Sequence, residues 1–98
     1  MVIPASSTEY VHVPVTGPDG VEIDGSPPQL AFLPVSNRDG PGEDDWHTGD
    51  WDDSDARLLV GPDGGTITLA KGDYRVYVSV DPPGPENIVR LSGYLSIT

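Results

Sequence analysis

The chain contains no cysteine, which removes disulfide scaffolds, thiolate zinc sites and iron–sulfur clusters together. Stability must then come from packing, from association, or from both. Positive charge is scarce: five Lys and Arg stand against 16 Asp and Glu, for a net charge of −11. Such a surface repels nucleic acid and anionic membrane, and neither is expected as a partner. No apolar run approaches the roughly 18 residues of a membrane helix. The opening Met1-Val2-Ile3-Pro4 is too short and too uncharged for a signal peptide, so synthesis in the cytoplasm without export is expected. Catalytic signatures are missing too. There is no Gly-x-Ser-x-Gly elbow, no phosphate-binding glycine loop and no arginine–aromatic interleaving.

What is present points to a small folded β domain. At 98 residues there is room for one domain and at most one site. Leu, Ile, Val and Phe number 24, about a quarter of the chain, enough for a core despite the charge. Gly 12 and Pro 11 without a Gly-X-Y period favour a turn-dense architecture. Asp outnumbers Glu twelve to four, and Asp favours turns and caps over helix interiors.

Period two dominates the chain and period 3.6 is nearly absent. Val11, Val13 and Val15 alternate with His12 and Pro14, predicting a strand from Glu9 to Val15 that ends at the turn Gly17-Pro18-Asp19-Gly20. A short strand Val21–Asp24 follows. Gln29 to Val35 is apolar on both alternations and reads as a central strand that stops at Pro34 or lies at an edge. Residues 36–45 have no apolar member besides Gly and Pro and predict a loop. Trp46 to Trp51 is compatible with a short strand, and Ala56 to Val60 with another. A second Gly-Pro-Asp-Gly at 61–64 leads to Thr66-Ile67-Thr68-Leu69. Asp73 to Val80 is the clearest strand. Past the linker Asp81–Glu86, Asn87 to Thr98 should complete a hairpin with it.

About seven short strands with regular turn signals describe an all-β, antiparallel two-sheet sandwich of immunoglobulin-like size, with a partly open barrel as the alternative. The expected core is Val11, Val13, Val15, Leu30, Phe32, Leu58, Val60, Tyr74, Val76, Val78, Val80, Leu91 and Leu95. Residues 1–7 precede any pattern and are expected as a flexible arm that orders only against something else, leaving 8–98 as the single domain.

Three features invite a chemical reading, each with a plain one beside it. Asp39, Glu43, Asp44, Asp45, Asp50, Asp52, Asp53 and Asp55 fall within seventeen residues, and clustered carboxylates suit calcium. An EF-hand register begun at Asp50 fails, with Ala56 where Gly is needed and Gly61 where a bidentate Glu is needed. A solvated loop is the plain reading, a looser cation site the other. Trp46 and Trp51 beside these acids suggest sugar stacking and glycoside chemistry. Five residues apart, however, they point to opposite faces of a strand, so one belongs to the core. His12 and His47 lie 35 residues apart without a close second ligand, which argues against zinc. No catalytic residue, cofactor ligand or metal ligand is assigned, and the protein is expected not to be an enzyme.

The order of features supports one comparison. The opening strand Tyr10-Val11-His12-Val13-Pro14-Val15, the segment Leu30-Ala31-Phe32-Leu33-Pro34, the block Trp46-His47-Thr48-Gly49-Asp50-Trp51, Ala56 to Pro62, Gly72-Asp73-Tyr74-Arg75-Val76-Tyr77-Val78 and the closing Gly93-Tyr94-Leu95-Ser96-Ile97 resemble small β-sandwich structural proteins of tailed bacteriophages, especially those of actinobacteria. The resemblance runs from about residue 8 to the end. It implies a non-enzymatic virion component at the capsid surface or head-to-tail region. Expected partners are other virion proteins, among them capsid, neck or tail subunits, and copies of the chain itself. A tail or baseplate fibre connector and a carbohydrate-binding sandwich stand as the alternatives, with a small hydrolase behind them.

Overall fold

The computed structural model describes residues 1–15, 27–37, 39–52, 55–80 and 88–98, with the backbone alone at Ile88. The turn at 17–20, the strand expected at 21–24 and the linker at 81–86 lie outside the described residues, as does Asp53.

The strands are β1 (Val2–Ile3), β2 (Glu9–Pro14), β3 (Gln29–Pro34), β4 (His47–Thr48), β5 (Asp50–Asp52), β6 (Asp55–Val60), β7 (Gly72–Val80) and β8 (Ile88–Ile97), with one 3-10 turn at Glu43–Asp45. They form two sheets, ordered β1-β8-β7-β3-β4 and β2-β6-β5. The order β2-β6-β5 against β8-β7-β3-β4 is the B-E-D against G-F-C-C′ arrangement of an immunoglobulin-type sandwich. Another mark of that fold is a tyrosine corner. Tyr74, near the start of β7, donates its hydroxyl to the Ala70 carbonyl at 2.7 Å, pinning the entry of the strand to the loop before it.

Alternation explains which residues face inward. Val11 and Val13 on β2 pair with Leu58 and Ala56 on β6, and all four are buried. From the other sheet come Leu30 and Phe32 on β3, Tyr74, Val76, Val78 and Val80 on β7, and Leu95 and Ile97 on β8. Leu30, Leu58 and Leu95, at most 1 % exposed, are the most deeply buried large side chains of that core. Among the described residues no polar or charged residue is buried, so the core rests on apolar burial alone, at about 1.5–3 kcal/mol per large side chain. β3 is buried on both faces as expected. The turn at Glu43–Asp45 packs against it, and Ala31 and Leu33 are covered although they point away from the main core.

The Trp46–Trp51 block forms two strands rather than one. β4 joins the larger sheet through β3 and β5 joins the smaller through β6, so the chain changes sheet at Gly49. There the backbone N–H donates to the Pro28 carbonyl at 2.9 Å, and a Cβ would collide with the Arg57 carbonyl. Only glycine permits this corner. The segment Thr66–Leu69 contributes one parallel bridge, Val60 to Ile67, while Ile67 and Leu69 pack against the core.

Three expectations need correction. Leu91, placed in the core, is 48 % exposed. The cause is a β-bulge: Val76 pairs with Gly93 but Tyr77 pairs with Leu91, leaving Ser92 as an extra residue whose hydroxyl donates to the Val76 carbonyl at 3.0 Å. One inserted residue reverses the parity of everything before it on β8. Val15 is half-buried at the rim of the core, one residue past the end of β2. The opening residues lie against their own domain. Val2 and Ile3 pair in parallel with Ser96 and Ile97, and Ile3 is 2 % exposed in the core. Ser96 N–H and Thr98 N–H donate to the Met1 and Ile3 carbonyls at 2.9 and 3.0 Å.

Candidate functional site

The sandwich presents two outer faces. On the smaller sheet, register places Tyr10, His12 and Pro14 of β2 beside Leu59, Arg57 and Asp55 of β6, with Asp50 and Asp52 of β5 next to them. Arg57 is the hub. Its Nε and Nη2 donate to the two Asp50 carboxylate oxygens at 2.8 and 3.2 Å, and its guanidinium carbon lies 4.3 Å from the Tyr10 ring centroid. Hydrogen bonding to Arg57 holds the Asp50 carboxyl below its ordinary range, and the same bonds raise Arg57 above its own. His12 sits 3.7 Å from Asp55, an ion pair only when the imidazole is protonated, and its ring meets Tyr10 edge-on at 6.1 Å. A shallow open notch of about 270 Å3 at one end is lined by Tyr10, Thr48, Gly49, Asp50, Arg57, Leu58, Leu59 and Thr66.

This constellation is chemically quiet. Arg57 has its charge met by a bidentate carboxylate and its flat face met by an aromatic ring, the two interactions a guanidinium accepts best. Nucleophilic or acid–base catalysis needs a nucleophile within reach of a base, and no such pairing stands among these contacts.

The acid cluster disperses once folded. Asp45 accepts the Gly42 N–H at 2.8 Å and closes the turn at Glu43–Asp45, while Asp39 donates its own N–H to the Asn37 side chain at 3.0 Å. Asp50 pairs with Arg57 and Asp55 faces His12. Among the described residues no three of His, Cys, Asp and Glu converge as a metal site would require. The tryptophans separate as well. Trp51 pairs with Ala56 on the inner side and packs on the core, whereas Trp46 is half-buried just before β4. His47 sits beside Leu30 in the larger sheet and His12 on the smaller one.

The outer face of the larger sheet is the opposite in kind. Beyond the area covered by the turn at Glu43–Asp45, it exposes Val2 (65 %), Tyr94 (61 %), Leu91 (48 %) and Val89 (37 %) on β1 and β8. Tyr77 and Arg75 of β7 lie beside Leu91 and Tyr94, and the Arg75 guanidinium carbon is 6.0 Å from the Tyr77 ring. Among the described residues Arg75 Nε and Nη2 are buried without a hydrogen-bond partner, an arrangement that costs free energy. β8 also has a free edge: among the described residues β1 pairs only with Ser96 and Ile97, leaving 88–93 open on that side. Sequence periodicity hid this surface by assigning Leu91 to the core. The available signal was Gly93 inside a strand, a common mark of a bulge.

Compared with known proteins, the chain matches no family model, no curated protein and no solved structure.

Proposed function

We propose that this chain is a non-enzymatic assembly module that works by docking the outer face of its larger sheet onto a neighbouring protein. Its setting is the particle of a tailed bacteriophage, at the capsid surface or head-to-tail region. The observation that carries the docking role is the contiguous exposed set Val2, Tyr94, Leu91 and Val89 in a chain of net charge −11. A small acidic domain gains nothing in isolation by keeping such a surface wet, and apolar patches of this kind mark interaction sites. The bulge at Ser92 strengthens the reading, because bulges re-aim side chains and this one turns Val89 and Leu91 outward. The phage setting rests on the sequence resemblance alone.

A sugar-binding role has less support, since Trp51 packs on the core and the exposed ring of Tyr10 already carries Arg57 on one face. The test is mass spectrometry of particles purified from an infected host culture. The chain is expected among the particle proteins, and Leu91→Lys is expected to fold and to be under-represented there. Absence of the unmodified chain from particles rejects the virion setting, and glycan-array binding then becomes the next measurement.

A further inference from the structure

We infer that the exposed Asp63–Gly64 step, in the turn between β6 and β7, is a self-modification site: it converts to isoaspartate without an enzyme, and the product releases the hold of this turn on the chain entering β2. The inference does not depend on the docking role proposed above.

The turn is held at its base and open at its tip. Gly61 N–H donates to the Ile67 carbonyl at 2.9 Å, the Thr68 hydroxyl to the Gly61 carbonyl at 3.1 Å, and Thr66 N–H to the Leu59 carbonyl at 2.7 Å. Asp63 N–H donates to Thr8 Oγ1 at 3.0 Å, and Gly61 lies so close to Ser7 and Thr8 that a Cβ there would collide with both. Asp63 and Gly64 themselves are exposed. Neither the Asp63 carboxylate nor the Gly64 N–H has a partner among the described residues. Gly64 has φ of +84°, in the left-handed region, and nothing lies within 4 Å of where its Cβ would be.

These are the conditions for cyclisation. The Gly64 nitrogen attacks Asp63 Cγ; a C–N bond forms, and the amide proton and the carboxyl hydroxyl leave as water. No side chain on Gly64 obstructs the approach, and no hydrogen bond has to break first. Water then opens the five-membered imide. Opening at Cγ restores aspartate, whereas opening at the backbone carbonyl leaves the chain running through Cβ and Cγ with the α-carboxylate as the side group. The sequence of steps needs no oxidant or reductant and leaves the net charge unchanged.

The product reaches beyond the turn. Its main chain is one methylene longer directly after the N–H that holds Thr8, in a turn whose Gly61 is pressed against Ser7 and Thr8. Asp39–Gly40 repeats the dipeptide on an exposed loop, but Asp39 N–H donates to Asn37 of the same loop, so a change there stays local.

The sequence makes the test direct. Trypsin releases residues 58–71, in which Asp63 is the single acid, and residues 72–75, in which Asp73 of β7 is the single acid. The full chain is held at physiological temperature and pH for weeks and digested at intervals, beside a synthetic peptide of residues 58–71. An isoaspartyl 58–71 fragment is expected, of unchanged mass, separable by chromatography and resistant to a protease that cleaves before aspartate, while 72–75 stays unaltered. It should form within about threefold of the rate in the free peptide, where a hydrogen bond to be broken first would slow it about tenfold. A rate below that range overturns the site. Asp63→Glu, whose imide needs a six-membered ring, should give no such fragment. The melting temperature of the parent should fall by about 4 °C on full conversion, as for one lost hydrogen bond, and stay constant in Asp63→Glu after the same treatment. Conversion of the parent without a change in melting, or an equal fall in Asp63→Glu, overturns the release of Thr8.

Discussion

The two outer faces of this sandwich solve the same problem in opposite ways. The outer face of the smaller sheet carries Asp50, Asp52 and Asp55 against Arg57, and that arginine is engaged by Asp50 and Tyr10. The outer face of the larger sheet sets Asp73 and Arg75 on β7, carries the turn at Glu43–Asp45 over β3, has among the described residues two buried Arg75 nitrogens without acceptors, and exposes Val2, Val89, Leu91 and Tyr94. One face is finished by contacts within the chain, and the other lacks contacts the chain does not supply. Net charge alone hides this, because −11 does not say which charged groups are met within the chain.

The sharpest way to break the comparison uses one strand. Leu95 and Leu91 both lie on β8, four residues apart, and an unbroken alternation would send both inward. With the bulge between them, Leu95 is 1 % exposed and Leu91 48 %. Leu95→Asp should therefore prevent folding, since an unpaired buried carboxylate costs several kcal/mol. Leu91→Asp should stay within about 0.5 kcal/mol of the parent, as for other surface changes. Chemical denaturation of both variants checks this. Similar losses in the two would show that β8 has no parity reversal and that the apolar outer face does not exist. Val78→Asp, on the inner side of β7, should behave like Leu95→Asp.

Much of the fold was legible because period two survives in a single sequence. It located β2, β3, β6, β7 and β8 within a residue or two, and all but Leu91 and Val15 of the expected core are buried. What it missed were events that interrupt the period or act at a distance. The Ser92 bulge inverts parity without altering the appearance of alternation on either side. Gly49 splits one apparent strand between two sheets, a move set by close approach to the Arg57 carbonyl. The pairing of Val2 and Ile3 with Ser96 and Ile97 spans almost the whole chain. The Arg57–Asp50–Tyr10 arrangement joins three strands, so no local motif announces it.

An intermediate effect is expected at the tyrosine corner, which anchors β7, the central strand of the larger sheet. Tyr74→Phe keeps the ring in the core and removes the hydrogen bond to the Ala70 carbonyl. The expected cost is about 1 kcal/mol, a fall in melting temperature of about 4–8 °C for a domain of this size. A melting temperature unchanged within error would show that water replaces that bond without loss.

A smaller effect concerns the dispersed acids. Because Asp45, Asp50 and Asp55 are each engaged separately, millimolar calcium should move the melting temperature by no more than a few degrees. A rise above about 10 °C would imply on the order of 2 kcal/mol of linked binding, and therefore a cation site assembled from these carboxylates.

The smallest expected effect tests whether the polar face is held together by its own charges. Arg57 lowers the Asp50 carboxyl below its reference value of 3.8 in the folded chain. A carboxyl depressed in this way adds stability that is fully present above its unfolded value and is lost as pH falls through the folded one. The window therefore opens near pH 3.8 and extends downward. Since the Asp50 side chain is 59 % exposed, solvent and salt screen much of the interaction. Asp50→Asn should accordingly lower the melting temperature slightly at neutral pH, and the difference from the parent should vanish toward the acid end of that window. Raising the ionic strength to about 1 M, where the Debye length is about 3 Å, should shrink the neutral-pH difference as well. A difference that persists undiminished in acid would assign the contribution of Asp50 to hydrogen-bond geometry rather than charge. The smaller face would then be closed by shape, and its contrast with the larger one would not be electrostatic.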